Sequence, residues 1–165
     1  MQDKTLCVEP RPGVYRWWFP IQKATEILCG FKNKDLAQTM NFMTRDIQGD
    51  TYLGLYFGIS NDMRRRIRWH IIGPFKSSTL RRTLRAIVSP NDDDEAAKTK
   101  VNDIIDNCYW EWEYLDSSSQ AEAVETTELA QDKFAYPLNI SKNKTVPAQW
   151  VAELKARRAD VKLNE

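Results

Sequence analysis

The chain has 165 residues and a mass of 19.2 kDa, room for one ordinary domain. With 42% hydrophobic residues and only 6 Gly and 7 Pro, a packed core is expected, and wholesale disorder or low-complexity architecture is excluded. Lys and Arg total 24 against 23 Asp and Glu, a net charge of +1 that lacks the strong basicity usual in nucleic-acid binders.

Residues 1–12 are stiff and turn-prone, ending in Pro10-Arg11-Pro12-Gly13 with no pairing pattern. Val14 to Phe19 is β-branched and aromatic, and Pro20 stops it, which predicts a strand. Residues 21–29 fit a short helix or a strand, 30–34 a turn, 35–43 a short helix, and Gly49-Asp50 a turn. The run 51–59 is the second strong strand. Ser60-Asn61-Asp62 then supplies N-cap chemistry for a helix in which Met63, Ile67 and Ile71 form the apolar face. Gly73-Pro74 ends it, and Ser77-Ser78 opens a helix over 80–88. There Leu80, Leu84 and Ile87 point inward, and Arg81, Arg82 and Arg85 are expected outside.

An acidic loop at 90–95 leads to a helix over about 95–107, with Val101, Ile104 and Ile105 inward. Residues 108–115 alternate as a third strand, 120–134 form a helix, and 136–139 break it. Residues 150–162 are a last, basic helix expected to add a phosphate contact. The fold class is therefore α+β, a small three-stranded, mainly antiparallel sheet flanked by helices. Residues 1–165 form a single domain, with a core at 13–140, an insertion at about 20–50 and a C-terminal helical extension at 141–165.

Three widely spaced cysteines, Cys7, Cys29 and Cys108, do not suggest a disulfide framework, so a cytoplasmic setting is expected. A single histidine discounts a Cys/His zinc cluster. No apolar run reaches the ~20 residues of a membrane span, and the Met1 to Lys4 start lacks a signal-peptide pattern. The charge, however, is segregated. Between Ser60 and Ala86 the only acid is Asp62, against Arg64, Arg65, Arg66, Arg68, Lys76, Arg81, Arg82 and Arg85. Such a block suits a phosphate backbone. The acids at 92–95 and 111–128 cancel it in the total.

Gly13-Val14-Tyr15 opening the first strand and Tyr56-Phe57-Gly58 in the second resemble the Gly-Ile-Tyr and Tyr-Ile-Gly motifs of the GIY-YIG nucleases. Ser60, Met63 and Arg66 match the hydroxyl, apolar and arginine positions of the helix that follows in that family. His70 lies one turn on, where several members carry histidine. Ala121 to Glu125 resembles the stretch that delivers a metal-binding glutamate, and Pro137-Leu138-Asn139 the segment that closes the domain. Each motif alone has an ordinary reading as strand aromatics, solvated charge or turn chemistry; their order and placement carry the resemblance. Two spacings, Tyr15 to Tyr56 and Glu125 to Asn139, are longer than usual for the family. The second leaves Glu128 as a rival to Glu125, which is preferred because Leu129, four residues on, packs the same helix near the core.

The resemblance implies an endonuclease that hydrolyses phosphodiester bonds in DNA with Mg²⁺, for which Mn²⁺ substitutes, and with no small-molecule cofactor. Glu125 anchors the metal. Arg66 offers a planar fork to phosphate oxygens, and one of Tyr15 and Tyr56 orients or deprotonates the water. His70, near neutrality in its ordinary pKa, is a candidate proton relay. Gly13, Gly58, Ser60 and Asn139 support the site, and the remaining basic residues of 60–86 contact DNA. A silent DNA-binding module and a protein-interaction domain are the alternatives, and the oligomeric state is open.

Overall fold

Gly13 to Pro20 forms the strand around which the molecule is arranged (β1, Gly13–Pro20). The computed structural model describes residues 7–161; Met1 to Lys4 and the expected helix end at Lys162 lie outside that range. In chain order β1 is followed by α1 (Ile21–Cys29), a 3-10 turn (Lys34–Thr39), β2 (Met43–Ile47) and β3 (Asp50–Ser60). Then come α2 (Met63–Ile72), α3 (Thr79–Val88), α4 (Asp94–Asp106), β4 (Tyr109–Tyr114), α5 (Ser118–Ala130) and α6 (Ala148–Asp160). The helix starts read from the sequence carry real caps. Asp62, Ser78, Asp93 and Ser117 each accept a hydrogen bond from a backbone N–H in the first turn that follows.

The sheet is antiparallel with four strands in the order β2-β3-β1-β4, one more than the three expected. The extra strand, β2, is a short edge element whose three central residues are all exposed, so it has no buried face to imprint an alternating pattern. Its hairpin turn is Gln48-Gly49, both at positive φ (54° and 91°), with Ile47 paired to Asp50. Gln-Gly is a weaker hairpin signal than Asn-Gly. β2 and the preceding 3-10 turn replace the helix expected at 35–43. α1 resolves as a helix, burying Ala24, Ile27 and Leu28. α5 stops at Ala130, earlier than the expected 134, because the Gln131 side chain accepts from the N–H groups of Lys133 and Phe134 and turns the chain.

One face of the sheet (Tyr15, Trp17, Phe19, Leu53, Leu55, Tyr56) packs against α1, α2, α3, α4 and α6 as the main core. The other face (Val14, Phe57) lies beneath α5 with Ala121, Leu129 and Tyr136. α6 is seated in the main core: Trp150 and Leu154 are fully buried, and the Trp150 ring stacks on Phe31 at 3.7 Å. No helix among the described residues is long and apolar enough to cross a membrane.

Two of the arginines expected on the wet face of α3 are inside. Arg81 and Arg85 are each 2% exposed. Arg81 donates to the Ile71 carbonyl and to Asn102, while Arg85 ion-pairs with Asp94 at 2.5 Å and lies over the Phe75 ring. α4 covers this side of α3, and its Asp94 and Asn102 supply side-chain partners that a three-residue apolar stripe cannot reveal. Both are structural, which removes them from the DNA-contacting set. Arg85→Ala is expected to lower stability by about 3 kcal/mol in urea unfolding, since it leaves Asp94 without its cation. Arg68→Ala, on an exposed position with no ion-pair partner recorded among the described residues, should stay within about 0.5 kcal/mol of wild type.

Candidate active site

The two tyrosines meet because β1 and β3 pair in unbroken register from Gly13–Ser60 to Trp17–Tyr56, which sets Tyr56 opposite Trp17 on the face that bears Tyr15; a bulge follows. Trp17 pairs with Tyr56 and Trp18 with Gly54, so Leu55 opposes no residue of β1. Leu53 and Tyr56, an odd number of residues apart, thereby share the face that bears Tyr15. The rings of Tyr15 and Tyr56 lie 6.2 Å apart.

The motif glycines are required by crowding. A Cβ on Gly58 would stand 2.5 Å from the Tyr15 Cζ and hydroxyl, and one on Gly13 would stand 2.3 Å from the Glu113 carbonyl oxygen. Gly58→Ala must therefore push the Tyr15 ring out of place. Overpacking of that kind costs about 1–3 kcal/mol, read as a lowered thermal midpoint. Asn139 fills the edge of β3 beyond the end of β2. Its Oδ1 accepts from the Phe57 N–H at 2.9 Å and its Nδ2 donates to the Phe57 carbonyl at 2.6 Å. The side chain substitutes for one residue of a missing strand. Ser60 closes the turn into α2 through its hydroxyl and Asp62.

Behind the tyrosines runs a buried chain of hydrogen bonds. The Tyr15 hydroxyl lies 2.8 Å from His70 Nε2, and His70 Nδ1 lies 2.7 Å from the Ser78 hydroxyl, which also accepts from the Arg81 N–H. The Tyr15 and Tyr56 hydroxyls are bonded to each other. Ser78 is fully buried, and its proton finds an acceptor if Nδ1 accepts. Nε2–H then donates to Tyr15, and both tyrosines line the cavity. Burial raises the pKa of both tyrosines, with the Arg66 charge opposing. It lowers His70 to about 3, with Arg66 and Arg81 adding to the effect. His70 is thus neutral, in contrast to the near-neutral pKa expected of it.

Tyr15, Tyr56, Arg66 and Glu125 line a single cavity of about 190 Å³, together with Gly58, Asn139 and Arg158. Arg66 comes from α2 and lies over the Trp69 ring at 5.4 Å; its buried Nε has no hydrogen-bond partner. Glu125, half-buried on α5, has its pKa raised by desolvation, with Lys142 opposing from 3.9 Å and Glu122 reinforcing. Glu128 faces elsewhere. It accepts from Arg16 at 3.2 Å and from the Tyr136 hydroxyl, beside a second cavity of about 440 Å³ lined also by Glu111 and Trp112.

The other basic residues do not enter the cavity. Arg64, Arg65 and Arg68 rim a groove of about 420 Å³ with Trp69 and Ile72, and Arg64 Nε donates to the Val8 carbonyl at 2.6 Å. Lys76 lies on the adjoining surface. Arg82 is half-buried and reaches the Arg158 carbonyl at 3.4 Å. Arg158 was not singled out by sequence reasoning. The signal available was its spacing: Trp150, Leu154 and Arg158 recur every fourth residue, so an arginine continues an apolar stripe.

No curated protein and no solved structure matches this chain. The family model for the GIY-YIG catalytic domain matches residues 13–160, which takes in every strand and helix from β1 to α6. Motif glycines packed against a tyrosine and a backbone carbonyl, paired tyrosines, and a helix-borne arginine and glutamate sharing one cavity are the features that this match spans. The chain belongs to the GIY-YIG nuclease family.

Proposed function

We propose that the chain is a divalent-metal-dependent endonuclease acting on DNA, on the convergence of Tyr15, Tyr56, Arg66 and Glu125 in one cavity. No cluster of three or more His, Cys, Asp or Glu exists among the described residues, so an all-protein cage is not on offer. A lone half-buried carboxylate suits Mg²⁺ or Mn²⁺, ions that keep several waters and take further ligands from substrate phosphate. Glu125 would hold the ion, which when bound polarises the phosphate and lowers the pKa of its water.

The chain's own residues then divide the work. Arg66, held over Trp69 and with no ion-pair partner among the described residues, offers its fork to the non-bridging oxygens. Tyr15 and Tyr56, both on the cavity wall, orient the attacking water or a phosphate oxygen. His70 holds them in place through its bond to the Tyr15 hydroxyl and its edge-on packing against the Tyr56 ring. Burial raises both phenol pKa values, so a tyrosinate base here would need the charge of Arg66 and of the bound ion to offset it.

Arg64, Arg65, Arg68, Lys76 and Arg82 supply phosphate-backbone contacts beside the cavity. Loss of Arg68 is expected to weaken DNA binding at all sequences alike and to reduce the log–log salt slope by about 1. The deciding assay incubates wild type with supercoiled, branched and single-stranded DNA, with and without Mg²⁺. Cleavage only with the metal supports the reading. Salt-sensitive binding with no cleavage under any divalent ion points to a silent DNA-binding module, and absence of both to a protein-interaction domain.

A further inference from the structure

The arginines of this chain fall into two groups. Arg16, Arg81, Arg85 and Arg157 each have guanidinium nitrogens spent on carboxylates, carbonyls or an amide oxygen. Arg157 is the clearest case, bonded to Glu153 and to the Gly30 carbonyl. Its neighbour Arg158 is different. It is half-buried, and among the described residues its guanidinium makes no hydrogen bond or ion pair. It lines the same cavity of about 190 Å³ as Arg66, whose side chain is likewise without an anion.

Placing Arg158 there is unfavourable for the empty protein. Desolvation and the nearby Arg82 charge both lower its pKa, and only Tyr56 opposes them. A partly buried cation without a partner is expected to be paired or avoided. Nothing in the packing of α6 is loose enough to let it escape: Trp150 and Leu154, two turns and one turn earlier on the same face, are fully buried, and Trp150 Nε1 donates to the Pro137 carbonyl at 2.9 Å. The helix is docked so that its next position on this stripe faces the cavity. The one acid on the cavity wall, Glu125, already has Lys142 beside it. Two guanidiniums therefore face a space with no protein anion assigned to either.

We propose that Arg158 and Arg66 together form a two-arginine phosphate clamp, with Arg158 a phosphate-binding residue of the site. The proposal rests on the nuclease reading for the identity of the phosphate as a DNA diester, while the clamp itself requires only a phosphate group. Two forks approaching from α2 and α6 fix the orientation of a tetrahedral anion, where one arginine leaves it free to rotate. The C-terminal helix thus completes the phosphate site and is more than an appendage contacting DNA from outside.

The test uses inorganic phosphate, without divalent metal and against chloride at equal ionic strength, with thermal stabilisation of the full chain as readout. Wild type is expected to be stabilised. Arg158→Met and Arg66→Met should each weaken the apparent phosphate affinity at least about tenfold, the effect of losing one charge-assisted bond pair. Arg158→Lys, which keeps the charge without the fork, should fall between them and wild type and serves if the methionine variant folds poorly. Lys155→Met, on an exposed face of α6, should bind phosphate as wild type does. Wild-type phosphate affinity in Arg158→Met, or no stabilisation of wild type by phosphate, overturns the clamp. Phosphate binding that depends on both arginines in a protein that cuts no DNA leaves the clamp standing and removes the nuclease reading instead.

Discussion

Glu125→Gln is expected to lower Mg²⁺-dependent DNA cleavage by at least about 10²-fold, the loss that removal of even an outer partner of a catalytic metal produces. Arg66→Ala should lower it further, by about 10³-fold, as removal of an arginine that stabilises a phosphoryl transition state does. Both variants should fold, because among the described residues neither side chain makes a hydrogen bond: Glu125 lies 3.9 Å from Lys142, and Arg66 lies over Trp69. Glu128→Gln provides the contrast. It weakens the contacts with Arg16 and the Tyr136 hydroxyl, so a stability loss of about 1–3 kcal/mol is expected with cleavage within a few-fold of wild type. Nicking of a supercoiled plasmid and urea unfolding of each variant measure the two quantities. If Glu125→Gln cuts like wild type while Glu128→Gln does not, the metal assignment is reversed.

The second large effect is on stability against acid. His70 has a pKa of about 3 in the folded protein against an ordinary 6.5, because burial and the charges of Arg66 and Arg81 oppose protonation. Between pH 6.5 and 3 the unfolded chain binds a proton at this position and the folded chain does not. Stability is therefore full above pH 6.5, falls as pH drops through that window, and flattens below about 3, with up to about 5 kcal/mol at stake. His70→Gln removes the titrating group. It should be less stable than wild type at pH 7.5, having given up an imidazole bonded on both sides, yet lose less on acidification. Parallel slopes for the two proteins between pH 7 and 4.5 in urea unfolding would show that His70 is protonated in the folded state. The same comparison separates the positioning role of His70 from base chemistry, since a residue neutral across this range adds no inflection to the pH–rate profile.

The parts of the fold with one buried face were readable from residue order. β1, β3, β4 and the helices with four-residue apolar spacing stand where that patterning places them, and the caps at Asp62 and Ser78 stand where the polar residues before those helices put them. β2 was not readable, since an exposed edge strand of Met-Thr-Arg-Asp-Ile is stabilised by its ladder with β3 rather than by its own pattern. Arg81 and Arg85 were misplaced for a related reason. A helix pattern identifies the inward stripe but not a second element such as α4 covering the outward one. Within the site, the tyrosine, arginine and glutamate positions could be named from motif order, yet the β1–β3 register that sets Tyr56 opposite Trp17, and the Leu55 bulge that turns Leu53 to the same face, have no signature in the residues themselves. Arg158 required knowing that α6 docks beside the cavity, information held in Trp150, Phe31 and Pro137 together.

The bulge also decides which changes of length this site tolerates. Register between β1 and β3 is set by hydrogen bonding outward from the paired ends Gly13–Ser60 and Pro20–Tyr52. The number of residues in α1, the 3-10 turn and β2 therefore has no bearing on whether Tyr15 meets Tyr56, and this connection is free to lengthen or shorten. The unpaired Leu55 is a second place of slack: without it Tyr56 would still oppose Trp17 and Gly54 would still oppose Trp18, so the tyrosine pair would survive. From Tyr56 to Gly58 there is none, because one residue more or less there would turn Tyr56 toward α5 while every strand stayed in place. Selection on that short stretch acts on residue number before it acts on side chains.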